Sequence, residues 1–119
     1  MPDSSVIDPQ AIENLRALNP GDNDEFLREI AGIFLEDTPL RIADLDQSAQ
    51  AADVAKFTRA AHSIKGSSAN LGAIALRALA EKLETQVRAE GLANVAGLVV
   101  QIKAEFDRTR SALNAITGK

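Results

Sequence analysis

Hydrophobic and polar residues alternate with a helical period in five segments of the chain, and no stretch shows the alternation typical of a strand. The first segment begins at Asp8-Pro9, where the aspartate can cap free N–H groups and the proline suits the first helical position. Asn19-Pro20-Gly21 ends it. The pattern therefore predicts a short first helix over roughly ten residues.

The second segment is the longest and contains a proline. It starts near Asp22 or Asp24, and the pattern predicts a helix over residues 23–50. Pro39 interrupts it, because a proline inside a helix removes a hydrogen bond and usually kinks the axis. One long kinked helix and two helices meeting at Thr38-Pro39 both fit. Its expected apolar face comprises Phe26, Leu27, Ile30, Ile33, Phe34, Leu40, Ile42 and Leu45.

Three further helices follow. The third is capped by Asp53 and is predicted to run to about Asn70, with Leu71-Gly72 as the turn into a fourth helix over residues 73–90. Gly91 is expected to end the fourth in a left-handed conformation. The apolar positions of the last helix fall within a stripe of roughly 100°. They are Val95, Leu98, Val99, Ile102, Phe106, Leu113 and Ile116.

The short connections predict that consecutive long helices are antiparallel neighbours. We therefore expect an all-α fold, an up-down antiparallel four-helix bundle with a short additional N-terminal helix. Residues 1–7 are expected to be a disordered or extended lead-in, and residues 8–119 a single domain.

Composition narrows the possible functions. The chain lacks cysteine, which excludes disulfides and fits a cytoplasmic protein, and residues 1–6 lack the features of a signal peptide. Its net charge of −4 argues against nucleic acid as a partner. No window reaches the length of apolar sequence that a membrane span needs. We expect a monomer that binds neither nucleic acid nor membrane.

His62, the only histidine, lies in the third helix. Helical geometry places it roughly 130° from the centre of the apolar stripe, so it should face solvent. Lys65 and Gly66 follow three and four residues later and share its face. The stripe itself consists of Val54, Phe57, Ala61, Ile64 and Leu71.

These three residue types suit phosphoryl chemistry. A neutral imidazole is a good nucleophile near neutral pH and can form a phosphoramidate. The ammonium group of Lys65 would lie near the added phosphoryl oxygens. Gly66 would leave the flank of the ring open to another protein, although a glycine inside a helix costs about 1 kcal/mol relative to alanine.

The stretch from Ala61 to Gly72 (AHSIKGSSANLG) resembles the signature of histidine-containing phosphotransfer (HPt) domains, His-x-x-Lys-Gly followed by small residues and Leu-Gly. Further similarity lies in Asp8-Pro9, in Phe34-Leu35-Glu36-Asp37 and in Leu83-Glu84, so the resemblance covers nearly the whole chain.

The resemblance implies that His62 takes a phosphoryl group from an aspartyl phosphate on a receiver domain and passes it to another receiver's aspartate. It makes Lys65 the electrostatic partner and Gly66 the residue that gives access. Glu84 matches a Gln or Glu that bonds the other ring nitrogen, although a plain surface carboxylate remains an alternative. The catalytic Mg²⁺ belongs to the receiver, and this chain is expected to need no cofactor.

The expected partners are receiver domains of response regulators or of hybrid histidine kinases, and Met1 slightly favours a free-standing protein over a domain of such a kinase, although both fit the sequence. Thr58, Arg59, Ser63 and Ala69 neighbour His62 and are candidate contacts. A catalytically silent adaptor is a second hypothesis, which the intact His62 disfavours. An enzyme using metal or acid–base chemistry is a third, which a single histidine and no cysteine disfavour. Without a phosphate-binding glycine loop, ATP-dependent kinase activity is not expected.

Overall fold

Five helices and no strands make up residues 6–118, the part of the chain that the computed structural model describes. The helices are α1 (Pro9–Leu18), α2 (Glu25–Ala51), α3 (Val54–Leu71), α4 (Ile74–Glu90) and α5 (Ala96–Thr117). The predicted all-α four-helix bundle with a short N-terminal helix is confirmed.

The packing order of the bundle decides which helices support α3. Helix α3 packs against α2 and α4, and α5 packs against the same two helices from the other side. Helices α3 and α5 therefore lie diagonally across the bundle. The short α1 packs on α2 and α3. The start of α1 is held beside the end of α3 by the backbone N–H of Asp8, which donates to the carbonyl of Gly72 at 2.7 Å.

The ends of the helices follow the chemistry of their capping residues. The Asp8 carboxylate accepts from the backbone N–H of Gln10 at 3.0 Å, and that of Asp53 accepts from Lys56 at 3.1 Å. Gly72 ends α3 in the left-handed conformation. The expectation for Gly91 is wrong in part: its φ is +67°, but its ψ of −143° lies outside the left-handed helical region.

Helix α2 is continuous through Pro39, so the alternative of two helices is excluded. The Asp22 carboxylate accepts from the backbone N–H of Phe26 at 3.0 Å, and Asp24 is the N-cap residue. Pro39 itself is exposed, so its ring lies on the outer side of α2.

The core contains most of the predicted apolar residues. Phe34 on α2 and Phe106 on α5 tie two helices together, with ring centroids 5.9 Å apart. Three predictions are wrong: Ile33, Leu40 and Val54 are 58%, 57% and 46% exposed. The first two lie about 100–120° around α2 from Phe34, beyond the stripe that meets its neighbours. Val54 is the first residue of α3, where fewer side chains surround it.

The beginning of the domain also needs a correction. Residues 1–5 of the predicted lead-in lie outside the described residues. Val6 and Ile7 are 4% and 1% exposed and belong to the core. The packed domain therefore begins before residue 8, because these two side chains cover apolar surface at the α1 end of the bundle.

Candidate functional site

Helix α3 holds His62 on the outer surface of the bundle. Phe57, Ala61 and Ile64 are all fully buried and fix the rotation of the helix about its axis. His62 then points to solvent with 70% of its side chain exposed, as the helical projection predicts. A core that locks one face of the helix thus presents the imidazole on the other.

The neighbouring helix α4 supplies a buried carboxylate to this ring. Leu83 and Val87 anchor α4 in the core, and Glu84 between them is only 2% exposed. Its Oε1 lies 2.9 Å from Nδ1 of His62, which excludes the alternative of a plain surface carboxylate. An ionised carboxylate can only accept, so Nδ1 carries the hydrogen and donates it. The lone pair of the neutral ring is then on Nε2.

Three cationic or hydrogen-bonding side chains share the Glu84 carboxylate. Besides His62, Lys65 Nζ lies 3.3 Å from it, and the Arg88 guanidinium donates to Oε2 at 2.9 Å. Burial raises the pKa of Glu84, but the hydrogen bonds from His62 and Lys65 and the charge of Lys65 outweigh it and hold that pKa below its usual range. Glu84 is therefore an ionised group in spite of its burial.

Gly66 lies in open space on the face that carries His62. Among residues 6–118, no atom beyond its own stretch of helix comes within 4 Å of the position that a Cβ would take. Packing within the chain thus gives no reason for a glycine here. The absence of a side chain leaves room beside the imidazole, on the exposed side of the helix.

The four predicted contact residues divide into two groups. Thr58, Arg59 and Ser63 line a shallow groove together with His62 and Glu84. Ala69 is exposed but lines a separate depression at the α3–α4 turn, beside Gly72 and Arg77. The structure therefore brings three of the four to the imidazole and leaves Ala69 more than one helical turn away.

Arg88 is a member of the site that sequence reasoning missed. It lines the same groove as His62 and contacts Glu84 from the next turn of α4. The spacing of four residues between an acid and an arginine on one helix is a signal that could have identified the pair. Its relation to His62 depends on how α3 and α4 pack together, which one helix does not reveal.

Two features are absent from residues 6–118. No helix there is long and apolar enough to cross a bilayer. No group of three or more His, Asp or Glu side chains there is arranged to hold a metal ion.

Comparison with known proteins adds independent evidence. The sequence profile of the Hpt domain matches residues 29–112. Multistep phosphorelay regulator 1 of Schizosaccharomyces pombe is 32% identical over 82 residues, which make up 69% of this chain and 28% of that protein. This chain therefore spans under a third of the length of that curated relative.

Two crystal structures share the fold. Histidine-containing phosphotransfer protein B (HptB) from Pseudomonas aeruginosa PAO1 matches with a TM-score of 0.87 and 26% identity, over 98% of this chain and 97% of that one. The HPT domain of a sensor hybrid histidine kinase from Shewanella matches with a TM-score of 0.75 over the same shares, and at 14% identity it shows the fold alone. With the profile covering more than half of the chain, this protein belongs to the Hpt (histidine-containing phosphotransfer) domain family.

Proposed function

We propose that this chain is a phosphorelay intermediate that carries a phosphoryl group on His62. The donor is an aspartyl phosphate on one receiver domain, and the acceptor is an aspartate on another. The partners are receiver domains of response regulators or of hybrid histidine kinases, and the Mg²⁺ that assists the reaction is held by the receiver. Having no phosphate-binding glycine loop, the chain does not use ATP itself.

The observation that carries this proposal is the arrangement of His62. Its side chain is 70% exposed, while Nδ1 is held at 2.9 Å by a carboxylate that is 2% exposed. Within the part of the chain that the structure describes, Nε2 has no hydrogen-bond partner. The protein thus fixes one nitrogen from within and offers the other to a partner.

The transfer follows from this geometry. The Nε2 lone pair attacks the phosphorus of the aspartyl phosphate, and the bond from phosphorus to the carboxylate oxygen breaks with its electron pair left on that oxygen. The ring then carries the phosphoryl group on Nε2 and keeps its proton on Nδ1. Lys65, which contacts Glu84 and follows His62 by three residues, would supply the positive charge that attracts the phosphoryl oxygens.

Phosphate transfer from a labelled receiver tests the proposal. The protein is incubated with a phosphorylated receiver domain and Mg²⁺, and the label on this chain is tested for the acid lability and base stability of a phosphohistidine. Wild type is expected to take the label. His62→Gln should take none, because the nucleophile is gone, and should keep the helical circular dichroism of wild type because the side chain is exposed.

Retention of label by folded His62→Gln would refute the assignment. Absence of label on wild type, with the receivers of the source organism each supplied in turn, would favour the silent adaptor instead. Arg77→Gln serves as a control that removes an exposed cation from α4 at the other depression, away from the imidazole. It should be labelled as wild type is.

A further inference from the structure

The group that accepts the hydrogen bond from Nδ1 of His62 is a carboxylate, and a carboxylate also affects the protonation of the ring once His62 is phosphorylated. We infer that Glu84 keeps the proton on Nδ1 of phosphorylated His62, so that the protein holds its phosphohistidine in the imidazolium form that gives up the phosphoryl group fastest. The inference rests on the proposed function and makes Glu84 a positioning residue that sets how long the phosphoryl group is kept and over what pH range it is passed on.

The argument begins with what each side chain can donate. An ionised carboxylate has acceptors only, whereas an amide at the same place could turn and donate its N–H to an unprotonated ring nitrogen. If Nδ1 of phosphohistidine lost its proton, its lone pair would face Glu84 Oε1 at 2.9 Å with no hydrogen between two acceptors. That arrangement is repulsive, so Glu84 opposes loss of the proton.

The burial of Glu84 strengthens this effect. The carboxylate is 2% exposed, so water screens its interaction with the ring poorly. Its pKa is held below the usual range by the hydrogen bonds from His62 and Lys65, which outweigh the opposing effect of burial. Glu84 therefore remains charged across the pH range in which the phosphorylated ring could lose its proton.

The proton decides how the phosphoryl group leaves. When the aspartate of a receiver attacks the imidazolium form, the Nε2–P bond breaks with its electron pair left on Nε2, and an O–P bond forms on the carboxylate. The departing ring is then neutral, with its hydrogen already on Nδ1, and no proton has to move. From the unprotonated form the leaving group would be an imidazolate anion, which is a much poorer one.

Other charged groups around the ring act in both directions. Arg59 on α3 and Arg88 on α4 line the groove, and Lys65 contacts Glu84; these cations disfavour a protonated ring but attract the phosphoryl oxygens. Glu81 is an exposed carboxylate one turn before Glu84 on α4. On α2, the acidic residue that pairs with α3 is Asp44, which contacts Lys56 as well as Arg41 of its own helix.

Among these groups Glu84 is the anion in direct contact with the ring, so Glu84→Gln tests the inference and Glu81→Gln is its matched control. Both remove one negative charge from α4. Each protein is loaded with phosphoramidate, which needs no receiver. Phosphohistidine lifetime and transfer to an unphosphorylated receiver are then followed from about pH 6 to about pH 9, on both sides of the pKa of free imidazole.

We expect Glu84→Gln to hold its phosphoryl group about tenfold longer than wild type at about pH 8.5. It should also transfer the group more slowly, and its transfer rate should begin to fall at a lower pH than that of wild type. Glu81→Gln should follow the wild-type profile. Overlapping profiles for wild type and Glu84→Gln would overturn the inference while leaving the proposed function intact. A wild type that takes no phosphoryl group at all would instead overturn the proposed function.

A second measurement on phosphorylated wild type removes any dependence on the folding of the variant. Nitrogen-15 spectra of the labelled imidazole report whether Nδ1 is protonated. The Nδ1–H form is expected to persist to higher pH than in a phosphorylated histidine peptide measured alongside. Loss of that proton at the same pH as in the peptide, or at a lower one, would refute the role of Glu84.

Discussion

Replacing Gly66 by alanine should make the protein more stable and its phosphotransfer slower. Gly66 lies inside α3, and of the described residues none outside its own stretch of helix comes within 4 Å of a Cβ placed there. A methyl group therefore causes no clash within the chain. It does restrict the unfolded chain, so the free energy of unfolding should rise by about 0.5–1 kcal/mol.

The same methyl group would stand on the face that a receiver has to approach, one helical turn from His62. Small displacements of reacting groups cost large factors in rate, and we expect transfer to fall at least about tenfold. Stability is measured by urea denaturation, where the midpoint should rise. Transfer is measured as the rate at which label leaves a phosphorylated receiver.

Gly97→Ala provides the control for this pair of effects. Gly97 lies in α5 and is exposed, and within the described part of the chain a Cβ there would likewise have no neighbour within 4 Å. Since α5 lies diagonally across the bundle from α3, the variant should transfer at the wild-type rate. If Gly66→Ala were destabilised, the reasoning from open space would be wrong. If it were stabilised and transferred at full rate, Gly66 would have no part in access.

Three further outcomes follow from the structure. Gly72→Ala should lower the free energy of unfolding, measured by urea denaturation, by at least about 1–2 kcal/mol, because φ is +72° and the new Cβ would overlap that of Ala11. An unchanged denaturation midpoint would contradict this. The pKa of Glu84 is lowered on folding, so its contribution is complete above the unfolded value of 4.5 and is lost as pH falls through the lower folded value. Wild type should thus lose stability more steeply than Glu84→Gln below about pH 5, and parallel acid-denaturation curves would count against the ion pairs. Lys65→Ala should keep its fold and transfer more slowly, and unchanged kinetics would remove Lys65 from the site.

The sequence predicted the helices well because each carries its own start, stop and periodicity. Asp8 and Asp53 are capping residues that can be recognised from one segment alone, and both cap as expected. The failures concern packing between segments. Val6 and Ile7 precede the first helix in a stretch too short to show a period, and only the assembled bundle reveals that they are buried. Ile33 is equally apolar but lies on a side of α2 where it stays 58% exposed in the assembled bundle.

In the candidate site, too, the features set within one helix could be predicted, and those set by packing between helices could not. The outward direction of His62 follows from the stripe on its own helix, which a projection can calculate. The burial of Glu84 depends on how α4 is rotated against α3, so its periodicity could not separate a buried carboxylate from an exposed one. Arg88 was missed for the same reason, since its importance lies in a groove formed by two helices. The roles of these residues in transfer remain predictions.

The diagonal arrangement of α3 and α5 has a consequence for how this domain can diverge. A change in the inner face of α5, at Val99 or Leu113, acts first on α2 and α4, the two helices that α5 packs against. Substitutions along α5 can therefore alter the lifetime of the folded state with little effect on phosphoryl chemistry. Substitutions selected for stability would therefore collect on the α5 side of the molecule, and those selected for signalling on the α3 side.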